Sequence, residues 1–172
     1  MTDTAFKWTC IKCDKTIPQH QEYCPECEEK RYRKIGGLLF VPFLNMFLIA
    51  YGYFTSLAVT LKASIDTLGY LPLAQSTYLF ISAGVNFVFL LYIIYVASLF
   101  LRKKKELPLA YSVLLVAGIV VMFIDRCITP YLFPQIALGF NQVMPIVTHT
   151  IYACIWIPYF RYSVRAKKTF IR

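Results

Sequence analysis

The chain has 172 residues, of which 58% are hydrophobic, 17% aromatic and only 16% charged, with a formal net charge of +9. Soluble domains are typically about 45–50% apolar and about 25% charged, so the composition excludes an ordinary soluble globule and points to a membrane protein. A basic balance can also signal nucleic acid, but here the charges flank apolar runs, which is the arrangement of membrane topology.

The N-terminal segment "MTDTAFKWTC" has no basic stretch followed by an apolar core. No cleaved export signal is therefore expected, and this end is expected in the cytoplasm, where thiols stay reduced. Residues 1–30 read as a small zinc-ribbon module. Cys10, Cys13, Cys24 and Cys27 form C-x2-C-x10-C-x2-C. Two such pairs, each on a tight turn, supply the tetrahedral thiolate set of one structural Zn2+, with no position left open for catalysis. So short a segment cannot bury a core of its own, and metal binding would supply its folding energy. Trp8, Ile11, Ile17 and Tyr23 are candidates for a small apolar cap. The same four cysteines also admit iron, a thiol-redox pair or an empty knuckle. Against an iron knuckle, Asp14 and Glu28 stand after the pairs where glycine is favoured. His20 reads as an exposed polar residue. Asp3, Asp14, Glu22, Glu26, Glu28 and Glu29 make the segment acidic, which opposes phosphate contact, so no nucleic acid is expected and a protein partner is.

Residues 31–172 read as an all-α membrane domain of four transmembrane helices. The apolar runs are Ile35–Leu61, Ser76–Leu101, Leu107–Ile124 and Val143–Phe160. Each approaches or exceeds the roughly 18–20 residues that cross the hydrocarbon, and none has the polar face of a soluble-bundle helix. Of the eighteen basic residues, all but Lys62 and Arg126 fall before the first run, between the second and third, or after the fourth. The excess of Lys and Arg marks the cytoplasmic side, so both termini are expected there. Arg102, Lys103, Lys104 and Lys105 form a tight basic turn suited to anionic headgroups. The stretch Asp125–Gln142, apolar and with Pro130 and Pro134, is expected to be an interfacial or re-entrant segment.

Asn45 and Asn86 fall near mid-membrane, where one hydrogen bond between helices is their ordinary use. Asp125, Arg126 and His149 fall toward the same, outer side and form a candidate polar cluster, since ionisable groups in a membrane are costly to leave unpartnered. Pro145, His149, Tyr152 and Trp156 share one face of the fourth helix. Trp156, Tyr159, Arg161, Arg165, Lys167 and Lys168 compose a motif expected at the membrane interface.

"IGGLLFVPFLNMF" and the closing "IWIPYFRYSVRAKKTF" resemble a bacterial inner-membrane family known as domain-of-unknown-function family 2569. Its closing pattern falls here on Ile155, Trp156, Ile157, Pro158, Tyr159, Phe160, Ser163, Arg165, Thr169 and Phe170, and "FIDRCI" is also similar. Ala166 stands where many members have Val. The resemblance covers about residues 35–172 and implies four helices in the bacterial inner membrane, with no catalytic residue to carry over. The sequence therefore supports first a non-enzymatic scaffold or adaptor whose cytosolic zinc ribbon binds a protein partner. Behind it stand a small-molecule or ion transporter or sensor using the outer cluster, and membrane redox chemistry at the cysteines.

Overall fold

The computed structural model describes residues 8–19, 21–32, 37–136 and 139–170; the expectation for His20 lies outside them. The chain divides into two units, residues 1–37 and 38–172, each taken by itself below.

In the first unit, Thr9 pairs with Thr16 in an isolated antiparallel bridge that brackets the Cys10–Cys13 turn. The Ile17 N–H donates to the Trp8 carbonyl at 2.9 Å, and the Cys10 N–H to the Lys15 carbonyl at 2.8 Å. Asp14 closes this turn at φ 55°. Glycine is usual in the left-handed region, but aspartate tolerates it better than most residues. The second pair is built differently from the two-turn expectation, because Cys27 lies in the first turn of helix α1 (Pro25–Tyr32) and Cys24 immediately precedes it. Pro25 sits at the first helical position, where its missing N–H costs nothing, and Glu26 and Glu28 complement the helix N-terminus.

A short 3-10 turn spans Gly37–Leu39, where the second unit begins. Four long helices follow: α2 (Phe40–Asp66), α3 (Leu73–Arg102), α4 (Leu107–Leu132) and α5 (Phe140–Tyr162). At 27, 30, 26 and 23 residues, each exceeds the roughly 20 needed to span a bilayer. α2 packs most extensively on α3, then α4 on α5, then α3 on α4. Gly118 on α4 allows the close approach of Tyr53 from α2, whose hydroxyl lies 3.3 Å from where a β-carbon would stand. Large apolar side chains such as Phe47, Tyr51 and Phe54 stay exposed along α2, as lipid-facing surface requires. Among the described residues there is no strand beyond the single bridge.

The third helix corrects the expectation for Asp125–Gln142. The chain does not leave the helix at Asp125 but continues helically to Leu132, with Pro130 inside it. Pro130 removes the bond to the Arg126 carbonyl, a loss confined to the last turn of the helix. The Gln75 amide of α3 donates to the Leu132 carbonyl at 2.6 Å, satisfying the C-terminus of α4.

Between α3 and α4, Lys103 sits at φ 54° and closes α3 with a Schellman pattern, the Lys104 N–H donating to the Leu99 carbonyl at 3.1 Å. A non-glycine residue in this region costs about 1–2 kcal/mol. Lys103→Gly is expected to raise unfolding stability by about 1 kcal/mol, read by thermal or denaturant unfolding of the purified protein in detergent.

The buried side chains gather at one end of the bundle. Pro42 and Met46 begin α2; Val96, Leu99 and Phe100 end α3; Leu107, Tyr111 and Leu115 begin α4; Trp156 and Phe160 end α5. This is the end that carries the Arg102–Lys105 turn. After α5, Ser163 caps a short helix α6 (Val164–Thr169), its hydroxyl accepting from the Ala166 N–H. α6 delivers Phe170 onto Phe100 and Phe160, with ring centroids 5.4 and 6.2 Å away. The Tyr111 hydroxyl of α4 donates to the Tyr152 hydroxyl of α5 at 3.3 Å, and the Asn45 side chain of α2 lies beside both. A plug of rings and one three-helix polar junction thus close the basic end.

Candidate metal centre and membrane cavity

The four thiols of Cys10, Cys13, Cys24 and Cys27 come together, their sulfurs all within 4.8 Å of one another. The Cys13 and Cys24 sulfurs are 3.4 Å apart. A tetrahedral thiolate site with bonds of about 2.3 Å needs sulfurs about 3.8 Å apart, so this arrangement can hold one metal ion. Cys10 and Cys24 are fully or nearly buried, Cys27 is buried and Cys13 faces outward. Ile17 and Tyr23 pack against the cluster, whereas Trp8 and Ile11 are exposed, so the apolar cap expected of all four is made by two.

Local backbone prepares the site for charge. The Cys24 N–H donates to the Cys10 sulfur at 3.3 Å. That bond, with the Lys12 backbone N–H, brings the Cys10 thiol down to about 6. The crowding sulfurs of Cys13 and Cys24, followed by burial, push Cys27 up to about 12. One thiolate is thus favoured without metal, while four are not, because only a cation offsets so many negative sulfurs at this spacing. Lys15 and Glu26 form an ion pair at 2.8 Å across the module's surface.

In the membrane unit, the half of the bundle away from the plug holds a cavity of about 570 Å³. Asp125, Arg126 and His149 all line it, joined by Tyr78, Asn86 and Tyr53. The Tyr78 hydroxyl donates to Asp125 Oδ1 at 2.5 Å. Asp125 Oδ2 meets Arg126 Nη1 at 3.8 Å, an ion-pair distance too long for a hydrogen bond. His149 Nδ1 lies 2.9 Å from the Pro145 carbonyl and donates to it, leaving Nε2 as the ring's other polar atom. Asn86 donates to the Ser82 carbonyl at 2.9 Å within its own helix. Asn45 is the asparagine that joins helices.

The closing motif divides. Trp156 is buried against Tyr152, Tyr159 and Phe160 in the ring plug, with centroids 5.2–6.4 Å away. Tyr159 is half-buried; Arg161 and Lys167 are exposed; Arg165 is half-buried, with its Nε buried and unpartnered. Lys168 lies in α6, its side chain outside the described residues. Sequence reasoning did not single out Tyr78, whose position three residues into the second apolar run gave no sign of its distant partner Asp125. Tyr111 and Tyr152 likewise carried no sign of their junction with Asn45.

Four apolar helices of membrane-spanning length, preceded by a segment whose cysteines can hold a metal, define a multi-pass integral membrane protein. The chain belongs to the family described as Protein of unknown function (DUF2569), whose model matches residues 32–171. The cysteine module precedes the matched region. No curated protein and no solved structure matches the chain.

Proposed function

We propose that this protein is a non-enzymatic scaffold or adaptor of the bacterial inner membrane, with both termini cytoplasmic and a zinc-bound N-terminal module that docks a protein partner. The observation that carries this reading is the convergence of four sulfurs within 4.8 Å. Four thiolates complete the tetrahedral shell of Zn2+, so the ion's work is to hold a shape. Trp8 and Ile11 give that shape an exposed apolar contact surface, 44% and 71% exposed. The excess of Lys and Arg on the side of both termini supports the orientation.

The test uses the full chain crosslinked in its own membranes. Ile11→Asp is expected to retain one zinc per chain while losing at least tenfold of a stoichiometric crosslinked partner. A partner recovered equally with Ile11→Asp and Cys24→Ser overturns the docking role. One iron per chain in place of zinc would turn the site toward electron transfer.

A second reading, small-molecule or ion sensing or transport, is favoured by the cavity that Asp125, Arg126 and His149 share. Intramembrane ionisable groups facing a cavity mark ligand pathways more often than lipid contacts.

A further inference from the structure

We propose that the cavity of the membrane unit binds an amphiphile of zero net charge, its apolar body held among α2, α3 and α4 and its polar head between Asp125 and Arg126. The volume, about 570 Å³, lies in the range of sites for drug-sized ligands. Most of the wall is hydrocarbon, including Leu48, Ile49, Val85, Val121 and Ile128, and it takes a chain or ring system at no polar cost. Among the polar side chains of the wall, Tyr78, Asp125 and Arg126 stand together.

The head's chemistry follows from what those side chains leave unmet. Asp125 accepts from Tyr78 through Oδ1, while Oδ2 has only the long 3.8 Å approach of Arg126. A carboxylate and a guanidinium at this distance neutralise one another but are not joined by a hydrogen bond. A head that both donates and accepts fits between them, donating to Oδ2 and accepting from the guanidinium. A hydroxyl, an amide or a zwitterion can do this. A head with net charge would leave one unit uncompensated in a low-dielectric site, which is costly. His149, with Nδ1–H given to the Pro145 carbonyl, adds its ring to the wall.

Gly52 lies on the cavity wall in α2, and a β-carbon built there meets nothing within 4 Å. A β-carbon at this position therefore displaces no neighbour at the cavity wall, and leucine suits a helix better than glycine does. Gly52→Leu is the variant that fills the site and keeps the bundle.

The ligand inference deepens the sensing reading and stands apart from the metal module. It is tested by binding alone, so a bound amphiphile without transport would reject transport and leave the site intact. The full chain is placed in phosphatidylcholine nanodiscs with a monoacylglycerol carrying a photoactivatable diazirine in its chain, and labelled residues are mapped by mass spectrometry. Labelling of cavity residues is expected to fall at least tenfold in Gly52→Leu, while labelling of lipid-facing Phe54 stays constant and the variant unfolds no earlier than the parent. A fatty acid and an alkylamine with the same chain are expected to label the cavity at least tenfold less. Equal labelling in Gly52→Leu overturns the site; equal labelling by either charged probe overturns the zero-charge assignment. A phosphatidylcholine bearing the same diazirine separates the two sources of this chemistry. Cavity labelling by it assigns the ligand to the bilayer, and labelling by the monoacylglycerol alone assigns a free uncharged amphiphile.

Discussion

Cys24→Ser is expected to empty the metal site and unfold the N-terminal module while leaving the four long helices intact. Among the described residues, this module's packing is centred on the thiols. Its buried core is Cys10, Cys24 and Cys27, with Ile17 and Tyr23 packed alongside. Among the described residues, a bridge, a few turn hydrogen bonds and an exposed ion pair accompany it, and exposed pairs contribute little. Structural zinc, by contrast, supplies about 10–16 kcal/mol in zinc-finger peptides. Metal content should fall from one ion to below about 0.1 per chain, and a protease should then cut within residues 8–32 of the variant and not of the parent. Helical circular dichroism should change by no more than the loss of α1. Acid acts in the same direction as the substitution. Cys27, held up at about 12, keeps its proton at neutral pH unless metal displaces it. Binding therefore releases protons, and affinity falls as pH falls. A module that stays protease-resistant after chelation would show that the fold does not rest on the metal.

The second large effect lies in the ring plug. Phe100 is fully buried and stacks on Phe43 at 4.9 Å while meeting Phe170 edge-on at 5.4 Å. Phe100→Ala is expected to lower unfolding stability by about 3–5 kcal/mol, since it removes a large ring and leaves a void that three elements line. Val121→Ala, on the wall of a cavity that already exists, is expected to cost about 1 kcal/mol, because the atoms it removes have few partners. Unfolding of the two variants in the same detergent measures the contrast. Similar losses would mean that the two halves of the bundle are equally packed.

What the sequence made legible was whatever leaves a local trace. Four long apolar runs announce four spans, and C-x2-C pairs announce a thiol cluster. The end of α4 left a misleading trace: Asp125, Arg126 and Pro130 look like the start of a loop, and the groups that keep them helical, Tyr78 and Gln75, come from another helix some fifty residues earlier. The second cysteine pair did carry a usable sign. Pro25 followed by Glu26 and Glu28 is the pattern of a helix start, and that pattern distinguishes the second pair from the first. The junction of Asn45, Tyr111 and Tyr152 and the fold-back of Phe170 are long-range pairings with no period to read. That Asp125, Arg126 and His149 fall toward one side was inferable from topology, but the cavity they line was not, because a void is a property of packing.

The ring plug also sets a rule for traffic. One half of the bundle is filled by Phe43, Phe100, Tyr111, Trp156, Phe160 and Phe170, while the other half holds the cavity. In this form the rings stand between the cavity and the basic end of the bundle. A path from the cavity to the basic end through a single chain would require these six rings to come apart.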